Sequence, residues 1–125
     1  MLRYANNNVG QFHTNGSYNS ISDKRLKTNI ENIPWLLEKL MQLNPSVYEF
    51  KFNNPTHEKS IGFIAQEVKS LFPELVSGFQ GKTEQGMSDI HTLNYNGFGV
   101  IAIKGIQELQ LTNNFLLRVM IAEIF

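Results

Sequence analysis

A serine and a lysine in one short segment have the residue types of a nucleophile and its base. They occur in the run Ser22-Asp23-Lys24-Arg25-Leu26-Lys27. A serine hydroxyl attacks a carbonyl carbon when a base removes its proton, and a lysine acts as that base when its amine is neutral. The cationic neighbours Lys24 and Arg25 disfavour the protonated form of Lys27. Taken alone, a Ser22–Lys27 pair is a weak signal, because this spacing occurs by chance in most proteins.

The spacing of this pair also restricts how the two side chains can meet. Ser22 and Lys27 lie five positions apart, and residues at that spacing do not share one face of a regular helix. We therefore expect them to meet across a turn, or between neighbouring chains of an oligomer.

Other combinations of reactive residues are weaker. His13, His57 and His91 lie far apart, with no pair at metal-ligand spacing, so neither a metal site nor a bound cofactor is predicted. Gly97 and Gly99 lack the rest of a dinucleotide-binding fingerprint. Acids that could form the carboxylate pair of a glycosidase are present, as in any chain of this size: Glu67, Glu74 and Asp89.

The composition excludes several classes of function. The chain has 125 residues, 42% of them hydrophobic, which predicts one domain, either alone or as a short domain with an extra arm. Eleven basic side chains balance eleven acidic ones, so no net field attracts nucleic acid or an anionic membrane. Cysteine is absent, which excludes thiol catalysis and disulfides. The most apolar stretch, residues 115–125, is too short to span a bilayer, so a soluble chain is predicted.

Residues 1–22 differ in composition from the rest of the chain. They hold one charged side chain, Arg3, and are rich in Asn, Gly and Ser. Asn15-Gly16 is a strong signal for a two-residue turn between short extended pieces. The segment is either a disordered N-terminus or the last piece of a longer β-rich structure.

The middle of the chain mixes helical and extended patterns. We predict a helix from Pro34 to Leu43 and a half-buried strand over 47–52. A short helix over 65–72 ends at Pro73. The large apolar side chains of this region are expected in the core: Trp35, Phe50, Phe63, Ile64 and Val68. This mixed order of elements predicts an α+β fold rather than alternating α/β units.

Residues 97–125 are predicted to form one helix. Apolar residues recur along it with alternating spacings of four and three, interrupted by one polar residue. We call these positions the seam: Ala102, Ile106, Leu109, Asn113, Leu116 and Met120. Such a seam is typical of a coiled coil, where a central Asn sets register and oligomer state. The alternative is an amphipathic helix packed on its own domain.

Several landmarks together give the chain a family resemblance. They are Ser22-Asp23-Lys24-Arg25-Leu26-Lys27-Thr28-Asn29-Ile30, Leu43-x-Pro45-x-x-Tyr48-x-Phe50, Ile61-Gly62-Phe63-Ile64-Ala65-Gln66-Glu67-Val68, Phe72-Pro73-Glu74-Leu75-Val76, Leu93-x-Tyr95 and Ile106-Gln107-Glu108-Leu109. Over residues 20–110 the chain resembles the C-terminal intramolecular chaperone, auto-processing domain of phage tailspikes, endosialidases and L-shaped tail fibres. A related domain occurs in the myelin regulatory factor of animals.

This resemblance implies a self-cleaving serine peptidase. Ser22 matches the serine at the cleavage point, Lys27 the lysine of a Ser–Lys dyad, and Asp23 a supporting acid that holds Lys27 or the loop. The expected cut is the Ser22–Asp23 bond, as in tailspike members that cut after the serine. Cleavage at Ile21–Ser22 stays open, because the spacing alone does not determine the scissile bond.

The resemblance also implies partners and an organisation. Residues 1–21 would be the C-terminal end of an upstream fibre or β-rich segment, 22–110 the chaperone domain, and 97–125 its C-terminal helix, with trimeric helical assembly. The implied partners are two further copies in a homotrimer and an upstream fibre or β-helical segment of the same polypeptide, without nucleic acid or membrane. The product would be a virion tail fibre precursor that folds in the host cytoplasm and releases its chaperone part.

Three other functions remain open from the sequence. The domain could trimerise a fibre without cutting it, in which case Ser22 is a turn residue. A processing domain like that of the myelin factor would need a basic DNA-binding part, and none is present here. A general Ser–Lys hydrolase is the least supported alternative, because no oxyanion-hole motif or binding pocket is recognisable.

Overall fold

The computed structural model describes residues 2–4, 6–78, 81–84 and 86–124. The chain folds as two compact units, residues 1–32 and 33–125. In chain order the strands and helices of the described residues are β1 (Leu2–Tyr4), β2 (Asn7–Phe12), β3 (Tyr18–Ser20), α1 (Leu37–Leu40), β4 (Ser46–Glu49), β5 (Lys59–Gly62), α2 (Ala65–Leu71), β6 (Val76–Gly78), β7 (His91–Leu93) and α3 (Tyr95–Ile124). The α+β fold predicted from the sequence is confirmed.

The first unit contains an antiparallel sheet with β2 between β1 and β3. A tight turn joins β2 to β3, and Gly16 adopts a φ of 86° there, a conformation that glycine tolerates. The Asn15 side chain accepts a hydrogen bond from the Ser17 backbone N–H at 3.0 Å. A turn is therefore present at Asn15-Gly16, but the His13 N–H bonds to the Ser17 carbonyl across three residues instead of the predicted two. The segment forms strands, and whether it ends a longer β-rich structure stays a prediction. Whether a domain boundary lies at residue 21 stays a prediction.

The second unit combines two antiparallel strand pairs with three helices, within the described residues. Strand β4 pairs with β5, and β6 pairs with β7. The core consists of five buried apolar side chains from the α1 entry, α2, the 3-10 turn Pro73–Leu75 and α3: Leu36, Val68, Phe72, Leu75 and Ile101. Phe63 packs beside this core and stacks on Phe98 with ring centroids 4.6 Å apart.

Helix α1 is shorter than the sequence predicts. It spans Leu37–Leu40 instead of beginning at Pro34 and reaching Leu43. No side chain caps its N-terminal end from Leu36, a residue type that cannot accept a hydrogen bond. The Leu36 backbone N–H instead donates to the Glu108 carboxylate of α3 at 2.8 Å. The chain entering α1 is thus held by a residue 72 positions away, and no local side chain caps the helix.

Three of the five side chains predicted for the core are exposed. Trp35 is 56% exposed, Phe50 62% and Ile64 41%. Trp35 borders an open apolar groove of about 460 Å³ in the second unit. The strand that was predicted to include Phe50 ends at Glu49. The Asn54 side chain then bonds to the backbone on both sides of the following loop, which replaces further strand pairing.

Helix α3 has 30 residues and confirms the long C-terminal helix, whose predicted last residue, Phe125, lies outside the described residues. Its buried positions are Ile101, Gly105 and Glu108. The six seam positions are exposed in the single chain. Each of these three buried residues directly precedes a seam residue, namely Ala102, Ile106 and Leu109. The face that packs on the domain therefore lies one residue before the seam. Among the described helices, none is both long and apolar enough to cross a bilayer.

Candidate active site at the serine–lysine turn

A single 3-10 turn, Lys24–Leu26, separates the predicted nucleophile from its base. Asp23 caps this turn, because its carboxylate Oδ1 accepts a hydrogen bond from the Arg25 backbone N–H at 2.9 Å. The Leu26 N–H donates to the Asp23 carbonyl, and the Lys27 N–H to the Lys24 carbonyl, both at 3.1 Å. Aspartate is a preferred capping residue, so the local sequence itself favours a turn at this point.

The turn brings Ser22 and Lys27 into direct contact. The Lys27 Nζ donates a hydrogen bond to the Ser22 Oγ at 2.6 Å. The backbone is extended at Lys27, with φ −116° and ψ 147°, so the chain leaves the turn there. Of the two arrangements that the spacing left open, the structure contains the one across a turn. This distance is within the range expected of a nucleophile and its base, and the catalytic roles of both residues stay a prediction.

Asp23 contacts Arg25. The Arg25 guanidinium donates from Nε to Asp23 Oδ1 at 3.0 Å and from its terminal nitrogen to Oδ2 at 2.9 Å. Such a two-point contact matches the planar guanidinium to the planar carboxylate. The Arg25 side chain hydrogen bonds lower the pKa of Asp23, and the same contact raises the pKa of Arg25. Asp23 is therefore a charged carboxylate at neutral pH, held by the turn that it caps.

The pair is open to solvent in the single chain. Ser22 and Lys27 are both exposed. An ammonium group donates to the serine hydroxyl but cannot take its proton, so the contact becomes useful for catalysis only when the amine is neutral. Burial favours the neutral form of an amine. The exposed pair thus has the distance expected of a dyad, but it lacks the burial that would favour a neutral Lys27 amine.

The remaining candidate residues are not assembled into a site. His57 Nδ1 lies 4.0 Å from Glu49 Oε2, and His91 Nδ1 lies 2.8 Å from the Asp89 carbonyl oxygen. Within the described residues, no group of three or more His, Asp or Glu side chains could hold a metal ion. Within the part of the chain that the structure describes, His57 and His91 thus contact residues near them in sequence.

Sequence reasoning missed two polar residues, Arg25 as the partner of Asp23 and Glu108 as a buried acid. The Glu108 side chain is 1% exposed, and its Oε2 has no hydrogen-bond partner among the described residues. One signal was available for Glu108: it lies three positions after Gly105 and seven after Ile101, on the buried face of α3. For Arg25, the signal was its position two residues after an aspartate that can cap a turn.

Comparison with known proteins shows which family the segment containing this turn is similar to. Residues 22–77 match a peptidase family described as the chaperone of endosialidase, and the match begins at Ser22. The resemblance that the landmarks indicated is therefore confirmed over this segment of the chain. The chain is also 32% identical over 102 residues to the long tail fiber protein Gp37 of Salmonella phage S16. The alignment covers 74% of this chain and 13% of that much longer protein.

Proposed function

We propose that this chain is the chaperone module of a phage tail fibre, and that it releases itself by cutting its own backbone at Ser22. The family match supports the chaperone role, and the similarity to a phage tail fiber protein supports a tail fibre as the partner. The 2.6 Å contact between Lys27 Nζ and Ser22 Oγ carries the proposal of self-cleavage. The fibre would precede the module in the same polypeptide, fold in the host cytoplasm and become part of the virion.

The surface of α3 supports assembly into a homotrimer. Beyond Gln110 the helix is mostly apolar, and its large apolar side chains are exposed in the single chain: Leu111, Phe115, Leu116, Leu117, Val119, Met120, Ile121 and Ile124. A helix of this kind is ordinarily buried against other helices. Together with the exposed seam, these side chains are suited to a bundle of three copies, which would bring three upstream chain ends together.

The chemistry of the cut follows from the dyad. Neutral Lys27 takes the Ser22 Oγ proton as the oxygen attacks a carbonyl carbon. The C–N bond breaks, the amine leaves with the proton returned by Lys27, and an ester remains. Water then hydrolyses the ester, which regenerates the Ser22 hydroxyl and leaves a new carboxylate.

The two possible bonds require different attacks. For Ser22–Asp23, Ser22 Oγ would close a strained β-lactone if it attacked its own carbonyl, so the attacking Oγ would come from Ser22 of a second copy. For Ile21–Ser22, attack on the preceding carbonyl forms an unstrained ring within one chain. We keep Ser22–Asp23 as the expected bond. Trimer formation would then be required for cleavage.

Intact mass measured over time tests the cut. The parent chain is expected to split, whereas Ser22→Ala and Lys27→Arg stay whole, because arginine retains the charge but does not lose its proton in a protein. Lys24→Arg is the matched control, a lysine in the same turn, and is expected to cleave like the parent. Cleavage of Lys27→Arg at the parent rate would show that Lys27 is not the base.

The released fragment identifies the bond and separates the alternatives. Its N-terminal residue is expected to be Asp23, and Ser22 there would indicate the Ile21–Ser22 bond instead. A parent chain that trimerises but stays intact would support the other candidate function, a non-cleaving trimerisation domain. The exposed apolar helix favours that function independently of the dyad.

A further inference from the structure

We propose that Arg25 is a positioning residue of this site, which holds the Asp23 carboxylate and so keeps it from pairing with the Lys27 amine. The proposal rests on the self-cleavage proposed above, and it assigns a role to a residue to which neither the resemblance nor the dyad gives one. It concerns one turn of the first unit, in which every side chain involved is described.

The geometry of the turn carries the inference. Both Asp23 carboxylate oxygens accept hydrogen bonds from the Arg25 side chain, at 3.0 and 2.9 Å, and Oδ1 also accepts one from the Arg25 backbone N–H. The carboxylate is thus occupied on both oxygens by one residue. Lys27, in contrast, makes no ion pair with a described acid and directs its amine at Ser22 Oγ.

The chemical need for this separation follows from the role of Lys27. A carboxylate beside an amine stabilises the ammonium form, which cannot accept the serine proton. Asp23 follows Ser22 directly, so its carboxylate is the acid closest in sequence to the dyad. An arginine is suited to occupy it, because the guanidinium stays charged and binds a carboxylate at two points.

The other charges of the first unit do not supply an alternative partner. Among its described side chains, those that are charged or titratable, besides Asp23, Arg25 and Lys27, are Arg3, His13, Tyr18, Lys24 and Glu31. Glu31 is the second acid, and it makes no ion pair with a described cation. Whether a carboxylate pairs with the Lys27 amine therefore depends chiefly on which cation Asp23 contacts.

The pH dependence of cleavage tests this role. In Arg25→Gln, Asp23 is free to pair with Lys27, so half-maximal cleavage moves to higher pH and the rate at pH 7 falls by about three- to tenfold, as an exposed pair allows. Adding Asp23→Asn removes the carboxylate but retains a capping side chain, and the double variant should regain the parent pH profile. Lys24→Gln is the control, a neighbouring cation lost without releasing Asp23.

A second measurement does not depend on cleavage. In the Ser22→Ala background, a limiting acylating reagent labels neutral amines, and peptide mass spectrometry gives the extent at Lys27 relative to Lys59. We expect labelling of Lys27 to fall about three- to tenfold in Arg25→Gln and to recover when Asp23→Asn is added. Lys24→Gln should change it less.

The outcomes separate this proposal from the proposed function. If the parent cleaves and Arg25→Gln loses rate without a pH shift or recovery in the double variant, Arg25 only stabilises the turn and the proposal is overturned. If the parent does not cleave, the proposed self-cleavage fails, and the labelling of Lys27 alone decides the role of Arg25. Unchanged labelling in Arg25→Gln overturns it in either case.

Discussion

Lys27 and Arg25 are two cations of one turn with opposite chemical requirements. Lys27 must lose its proton to serve as the proposed base, whereas the role proposed for Arg25 requires that it keep its charge. The hydrogen bonds from Arg25 lower the pKa of Asp23, so the contact between them weakens only when acid protonates Asp23. The stability that this contact adds to the turn is therefore present at neutral pH and lost as the pH falls through the lowered pKa of Asp23.

Glu108 joins α3 to the start of α1 through a single hydrogen bond. Its Oε1 accepts the Leu36 N–H that leads into α1, while Oε2 lies buried without a partner among the described residues. We expect Glu108→Ala to lower the free energy of unfolding by about 2–4 kcal/mol, because it leaves a cavity and an unpaired backbone donor.

Glu108→Gln is the matched variant for this contact. It retains an oxygen that can accept the Leu36 N–H, so its stability should lie within about 1 kcal/mol of the parent. Urea unfolding in the Ser22→Ala background measures both changes. Equal losses in the two variants would show that the hydrogen bond to Leu36 is not what Glu108 contributes.

At the scale of elements, the approach of α1 to α3 depends on the absence of a side chain at Gly105. A Cβ built at Gly105 would collide with the Leu40 Cδ2 of α1, whereas nothing lies within 4 Å of a Cβ built at Gly99 in the same helix. The two glycines have the same low helix propensity but different surroundings. Replacing each glycine with alanine therefore separates the free-energy cost of a clash with Leu40 from the gain in helix propensity.

We expect Gly99→Ala to stabilise the protein by up to about 1 kcal/mol, because alanine favours the helix. Gly105→Ala has the same gain but displaces Leu40, and should be less stable than Gly99→Ala by about 1–3 kcal/mol. Thermal or urea unfolding of both variants gives the difference. Equal stability of the two would mean that Leu40 moves without cost and that α1 packs loosely.

At the scale of the whole molecule, the exposed apolar surface of α3 is the surface through which we propose that the chains assemble. Its buried face already packs on the domain through Ile101, Gly105 and Glu108, so the seam remains available for other chains. A trimer that covered the seam would leave the domain contacts intact. If the attacking serine comes from a second copy, assembly and cleavage are coupled.

Leu109→Asp tests this coupling. Leu109 is 49% exposed in the single chain, so the change should leave the domain folded, but a charge buried in a trimer without a partner is costly. We expect sedimentation equilibrium to show a trimer for the parent and a monomer for Leu109→Asp, with slower cleavage. Gln107→Asp, on the same turn but outside the seam, should remain trimeric. A stable parent monomer at micromolar concentration would contradict the trimer.

The sequence by itself determined those features that depend on neighbouring residues. The Asn15-Gly16 turn, the helix that ends before Pro73 and the long C-terminal helix all follow from local chemistry or periodicity. The Ser22–Lys27 pair was recognisable for the same reason, since five consecutive peptide bonds and one capping aspartate suffice to bring the two side chains together. The family was recognisable because its landmarks keep their order along the chain.

The tertiary structure alone decided the features that depend on distant contacts or on competition between partners. It shortened α1, because Leu36 bonds to Glu108 and no local cap exists. It also displaced the buried face of α3 by one residue from the predicted seam. Apolar periodicity shows that a helix has an apolar face. On a helix as apolar as α3, however, several adjacent faces have the same periodicity. Which face of α3 packs on the domain depends on where Leu36 and Leu40, at the start and end of α1, contact the helix.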